Sequence, residues 1–189
     1  MTLPGKLLVF TAPSGSGKTT IVRHILSAFP NTGFSVSATT RSKRPHEIHG
    51  KDYFYLSVET FNLWTSLDAF AECEEVYQGQ FYGTLKSEIE RLTSLGRHVV
   101  FDVDVKGAIS IKELYPEETL TIFIKVPSME VLETRLRNRG NETEESLKKR
   151  LTKARAELTY ESHFDVVLIN DALEVTLKEA EDIVQKFLF

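Results

Sequence analysis

Lys18, Thr19 and the two glycines just ahead of them carry the clearest chemistry in this chain. They lie in the run Leu7-Leu-Val-Phe-Thr-Ala12-Pro13-Ser14-Gly15-Ser16-Gly17-Lys18-Thr19-Thr20, where an apolar strand pattern passes into a glycine-rich loop and then a helical pattern. Gly15 and Gly17 let the backbone turn its N–H groups inward, and the following helix aims its unpaired N–H groups and positive dipole end at the same point. Such a cradle suits a nucleoside triphosphate, with Lys18 on the β- and γ-phosphates and the Thr19 hydroxyl on the accompanying Mg2+. Ala12 stands where the usual pattern begins with glycine, so a backbone geometry open only to glycine is excluded there.

A second basic segment, Arg41-Ser-Lys-Arg44-Pro, is followed by Tyr53, so two guanidiniums and a phenol can converge on one anion. Beside a triphosphate cradle, this points to a second phosphate-bearing substrate. Glu72, Tyr82 and Thr84 frame a hairpin pattern, and Asp102 and Asp104 end the apolar run that starts at Val99. Carboxylates at the C-terminal end of a parallel strand face the ligand crevice, and Asp102 is placed to orient Mg2+ directly or through water. The histidines, His24, His46, His49, His98 and His163, have no serine or cysteine partner in a triad-like context. His46 and His49 have a spacing a metal could use, but two ligands in a loop read better as solvated side chains. Cys73 reads as a small packed apolar residue.

The elements that must hold these groups follow from periodicity. Apolar runs at 7–10, 98–102, 120–126 and 166–169 alternate with helical patterns at 18–29, 86–95, 108–114, 129–138 and 173–187, which predicts a buried parallel sheet with crossover helices. Between the first two runs the texture changes. Phe34 to Ser37 alternates, 52–56 is aromatic-rich, and Gln78-Gly79 can turn a hairpin between 74–77 and 81–84, so a small, mostly antiparallel insertion is expected. Around Gly140 one helix ends, and Thr143 can cap another whose Leu147, Leu151, Ala154 and Leu158 form one stripe. That charged helical hairpin could close over a triphosphate as a lid.

Composition sets the outer bounds. With 27 acidic and 23 basic residues the net charge of −4 argues against a nucleic-acid surface, and a lone cysteine permits no internal disulfide. No run reaches transmembrane length and no leader pattern opens the chain, so a cytoplasmic protein with no membrane partner is expected.

The motifs together resemble the guanylate kinase family over essentially the whole chain. The matching runs are 12–19, Phe-Ser-Val-Ser-Ala-Thr-Thr-Arg (34–41), Gly-Lys-Asp-Tyr (50–53), Tyr-Gly-Thr (82–84), Asp-Val-Asp (102–104), Arg-Gly-Asn-Glu-Thr-Glu-Glu-Ser (139–146) and Val-Leu-Ile-Asn-Asp (167–171). The resemblance implies an α/β P-loop kinase fold with a central parallel sheet, a small mixed α/β GMP-binding insertion and a helical lid. The corresponding divisions are a core of 1–33, 86–127 and 157–189, an insertion of 34–85 and a lid of 128–156. It implies transfer of the γ-phosphoryl group of ATP to GMP or dGMP with Mg2+, by a monomer or homodimer. By the same resemblance Ser37, Glu72, Thr84 and Asp104 surround guanine, and Arg41, Arg44, Tyr53 and Tyr82 hold the acceptor phosphate. Arg135, Arg139 and Arg150 belong to the lid's phosphate clamp, Asn170 lies near the donor adenine, and Glu47 lies near the nucleotide. Lys106 stands where members often carry glutamine. The physics of the base agrees: an ionised Glu72 can accept both N–H groups of guanine's Watson–Crick edge, whereas adenine offers it a ring-nitrogen lone pair. The competing readings are a silent phosphopeptide-binding module of the same family, a kinase of another small acceptor and a simple ATPase.

Overall fold

In the computed structural model, residues 5–138 and 143–189 are described. Five parallel strands, β1 (Leu7–Thr11), β2 (Thr32–Phe34), β7 (His98–Asp102), β8 (Thr119–Lys125) and β9 (Val166–Ile169), form the main sheet in the order β2-β7-β1-β8-β9. The central strands β7, β1 and β8 are mostly apolar on both faces because both are covered, whereas Val167 and Ile169 of edge strand β9 are exposed. Leu8, Phe10, Val100, Ile122 and Leu168 point into one layer, against Ile21, Val22 and Ile25 of α1 (Lys18–Ala28) and Ala180 and Val184 of α7 (Leu173–Leu188). Leu7, Val9, Val99, Phe101 and Phe123 point into the other, against α3 (Lys86–Ser94) and α4 (Val105–Leu114).

The remaining elements form two appendages. A four-stranded sheet of order β4-β3-β6-β5 is built from β3 (Ala38–Thr39), β4 (Phe54–Tyr55), β5 (Phe70–Tyr77) and β6 (Gln80–Leu85), with α2 (Val58–Ser66) beside it. Its β3–β6 and β5–β6 pairings are antiparallel and its β3–β4 pairing is parallel. Helices α5 (Met129–Arg137) and α6 (Glu144–Leu158) share a small core of Leu132, Leu136, Leu147 and Ala154. Thr143 caps α6 by accepting from the Ser146 N–H at 3.2 Å, as its place in the sequence suggests.

Three details differ from the sequence expectation. The core sheet has a fifth strand, because Thr32–Phe34 pairs with β7 from His98 to Val100, and Phe34 therefore ends a core strand instead of opening the insertion. Helix α2 carries no periodic pattern strong enough to mark it. Helix α4 begins at Val105, three residues earlier than expected, with Asp104 as its cap.

Candidate active site

The chain turns toward the β2 edge after β1 and later returns to β8 on the other side, so the crevice at the C-terminal strand ends opens beside β1. The glycine-rich loop leaves β1 there. Gly15 and Gly17 have φ of 100° and 92°, conformations that L side chains resist, whereas Ala12 is buried at the loop's base without a positive φ. Helix α1 has no side-chain cap, leaving its first N–H groups aimed into the crevice. The loop from Ala12 to Thr20, apart from Ser16, lines a cleft of about 310 Å3 whose far wall is Asp104 and, from α6, Arg150, Lys153 and Glu157. Lys153 and Glu157 were not among the expected site residues.

Lys18 sits where β1 and β7 meet. Its Nζ pairs with Asp102 Oδ1 at 2.6 Å and donates to the Val103 carbonyl at 3.0 Å. Asp102 is thus engaged by Lys18 in addition to standing at the strand end where a Mg2+ ligand was expected. Arg150 donates to Ser14 Oγ at 2.7 Å, which brings an α6 arginine onto the glycine-rich loop. Arg135 does not line that cleft; it donates to the Asp171 carbonyl at 3.1 Å. Arg139 lies outside the described residues. Asn170, 3% exposed, is also not in the cleft wall: its Nδ2 donates to the Ser16 carbonyl at 2.8 Å.

A second cleft, of about 220 Å3, is lined by Ser37, Tyr53, Glu72, Glu74, Tyr82 and Gly83 of the insertion and by Lys18, Asp102 and Asp104 of the core. Lys18 and Asp104 therefore line both clefts. The β5–β6 pairing sets Glu72 opposite Thr84, whose buried hydroxyl donates to Glu72 Oε1 at 2.6 Å. Gly107, in the first turn of α4, makes room for the carboxylate, since a Cβ there would lie 2.8 Å from Glu72 Oε2. Burial, opposed by the Thr84 bond and reinforced by the charges of Asp104 and Glu74, pushes the Glu72 carboxyl up to about 7.

The basic loop is organised by Glu47. Arg41 grips its carboxylate through Nη1 and Nη2 at 3.0 and 2.8 Å, and the Arg44 N–H donates to it at 2.8 Å. The Arg41 guanidinium lies 5.4 Å from the Tyr53 ring centroid and 5.8 Å from that of Tyr55, and the Tyr53 and Tyr82 rings meet edge to face at 6.0 Å. The Arg41 hydrogen bonds hold the Glu47 carboxyl down to about 2, and Glu47 in turn raises Arg41. Burial raises the Tyr53 phenol, helped by the charge of Asp102. The Glu47 carboxylate thus holds the Arg41 guanidinium and the Arg44 backbone N–H, while the Arg44 side chain remains 63% exposed. Lys106 lies 3.5 Å from Glu74, which lines the second cleft.

Comparison with known proteins places this geometry in a family. A family model described as guanylate kinase matches residues 4–187. A curated guanylate kinase of Bacteroides thetaiotaomicron is 44% identical over 98% of this chain and 91% of its own length, and one of Chlorobium luteolum is 45% identical over 97% and 93%. The crystal structure of a guanylate kinase from Anaplasma phagocytophilum superposes with a TM-score of 0.79 at 30% identity, covering 100% of this chain and 88% of that one. With a phosphate loop and a carboxylate-lined acceptor cleft meeting at Lys18, and with matches of this extent, the chain belongs to the guanylate kinase family.

Proposed function

We propose that the chain transfers the γ-phosphoryl group of ATP directly to GMP, giving ADP and GDP. The observation that carries this reading is the sharing of Lys18 and Asp104 by two clefts, one walled by the phosphate loop and the other by Glu72. Two anionic substrates entering from opposite sides meet at one ammonium group, which fits in-line transfer without a covalent enzyme intermediate. Ser37, Glu72, Thr84 and Asp104 read guanine. The ionised carboxylate accepts the two N–H donors of the base, and Thr84 fixes the rotation of that carboxylate through its 2.6 Å bond. Arg41, Arg44, Tyr53 and Tyr82 hold the acceptor phosphate, with Glu47 acting on it through Arg41, whose guanidinium it orients. A phosphomonoester with a second pKa near 6 is largely dianionic at neutral pH, so no dedicated base is required.

The donor phosphates lie against the backbone of residues 12–20, with Lys18 and Arg150 neutralising charge as the phosphoryl group passes. The other clamp arginines that the resemblance implies are Arg135, which here donates to the Asp171 carbonyl, and Arg139, which lies outside the described residues. Mg2+ fits this end of the crevice because the oxygens of Thr19 and Asp102 are hard donors, and the ion needs only one or two such protein ligands when phosphates and water supply the rest. Bound there, it would spread the negative charge of the donor. The divisions that follow are a core, a GMP-binding insertion beginning just after Phe34, and a lid of α5 and α6.

A coupled assay with ATP against GMP, dGMP, AMP, CMP and gluconate tests the reading. Turnover confined to the guanine nucleotides is expected. Equal use of AMP, or no turnover with any of them, would refute it.

A further inference from the structure

Glu88 is buried, only 5% exposed, and takes no part in the chemistry above. It lies in the first turn of α3, where the chain comes back from the insertion to the core. Its partners span a fork in the chain. The antiparallel β3–β6 pair ends with Ala38 opposite Gly83, and the next residues along are Ser37 and Thr84, both assigned above to guanine. Beyond them the two strands part. One runs back through Val36 to Ser35, whose N–H donates to the Val100 carbonyl at 2.9 Å and so continues the core sheet. The other passes through Leu85 into α3. Glu88 bridges the fork: its Oε2 accepts from the Val36 N–H at 3.4 Å and from Arg91 Nη2 at 3.0 Å, while its Oε1 accepts from Arg91 Nε at 2.7 Å. Arg91 thus supplies the countercharge that a buried carboxylate needs.

Each residue of the segment 35–37 is held by a different part of the fold. Ser35 is tied to the core sheet and Val36 to α3, while the Ser37 carbonyl accepts from the Phe54 N–H of β4 at 2.9 Å. Ser37 also lines the acceptor cleft. We propose that Glu88 is a positioning residue for the acceptor nucleotide: by tying the outgoing connection of the insertion to the returning one, it fixes Ser37 against Thr84 and with them the guanine-reading end of the cleft. Without this tie the segment samples other positions. GMP then binds only the fraction of molecules in which Ser37 is in place, and its apparent affinity falls by that fraction. The tie depends on reach as well as charge, because the side chain must cross the fork to meet Val36.

The inference rests on the kinase reading above, and its test separates the two. Steady-state kinetics and GMP calorimetry would compare the full chain with two variants. Glu88→Asp keeps the charge but draws it back by one methylene, and Glu88→Gln keeps an acceptor at full reach without the charge. The expected result for Glu88→Asp is a rise of about tenfold in the KM and Kd for GMP, the scale of one hydrogen bond to a charged group, with kcat and the KM for ATP unchanged. Glu88→Gln should show a smaller rise. Equal GMP affinity in Glu88→Asp and the parent would overturn the inference. So would a larger loss in Glu88→Gln than in Glu88→Asp, which would make charge and not reach decisive. A parallel fall in kcat and in the use of both substrates would overturn it too, by making the carboxylate a general element of the fold. Amide exchange on the unmodified chain gives a reading that no variant's folding can disturb: the Val36 N–H should be protected as well as that of Ser35, and free exchange there would overturn the inference. An unmodified chain that turned over no GMP would instead sink the kinase reading, and this inference with it.

Discussion

Replacing Glu72 with glutamine should make the protein more stable and less able to use GMP, and the two effects should have different pH dependences. The folded protein raises the Glu72 carboxyl from 4.5 to about 7, which corresponds to about 3 kcal/mol between its protonation states. Because the group is a carboxylate with a raised pKa, folded and unfolded chains are both protonated below 4.5 and the shift then costs nothing. As pH rises from 4.5 through 7 the unfolded chain ionises freely while the folded one resists, so stability falls until both are ionised. Glutamine cannot ionise, and its carbonyl still accepts from Thr84. The stability difference between Glu72→Gln and the parent should therefore grow by up to about 3 kcal/mol between pH 5 and pH 8; the cleft mouth admits water, so this value is a ceiling. Urea unfolding at both pH values measures it. Steady-state kinetics on the same variant should show use of GMP falling by roughly 10² to 10⁴, with the KM for ATP little changed, since the new amide sets a donor against a guanine donor. A stability difference independent of pH would refute the burial argument, and equal losses for GMP and ATP would refute the base-reading role.

Three further outcomes follow from the same geometry. GMP should bind more tightly as pH rises from 6 to 8, because guanine's donors favour the ionised Glu72; calorimetry in buffers of different ionisation enthalpy should detect proton release on binding, and proton uptake would contradict it. Glu47→Gln should raise the KM for GMP by about tenfold or more through a misaimed Arg41, with ATP unaffected, and the parent should lose the contribution of the Arg41–Glu47 pair as pH falls from 4.5 toward 2. Gly17→Ala should cost at least about 1 kcal/mol of stability from its left-handed backbone alone and should abolish most turnover, since the added Cβ collides with Asn170; a fully active variant would show that the loop does not hold this shape.

The sequence revealed the core more fully than the edges, for reasons visible at particular residues. Strands β1, β7 and β8 announce themselves because most of their residues are buried on both faces, as Leu7 to Phe10 are, and β9 because all four of its residues are apolar although Val167 and Ile169 are exposed. Strand β2 does not, being three residues long and carrying Gly33. A Cβ at that glycine would lie 2.5 Å from Leu92 Cδ2, so a larger residue there would force the Leu92 side chain to shift. The late start assigned to α4 has a similar origin: Gly107 weakens the helical pattern in the first turn, yet the close approach of Glu72 demands it. Helix α2 mixes exposed Val58 and Leu63 with buried Phe61, so no clean stripe marks it.

The site was legible where a motif names a backbone shape or a base edge. It was not legible where tertiary packing assigns the partner. Glu47 could be placed near the nucleotide, but only the folded loop shows its carboxylate gripped by Arg41. Lys153 and Glu157 belong to none of the motifs named above, yet the way α6 lies over the glycine-rich loop carries them into the wall of the cleft beside that loop. Asn170 was expected near the donor adenine, and only the folded chain shows its Nδ2 bonded to the Ser16 carbonyl.

The most direct test of the two-cleft account is a crystal structure with GMP and a non-hydrolysable ATP analogue bound together. The account predicts guanine against Glu72 and Thr84, with the acceptor phosphate in line with the analogue's terminal phosphate at Lys18. Guanine bound elsewhere, or an acceptor phosphate facing away from the glycine loop, would contradict it.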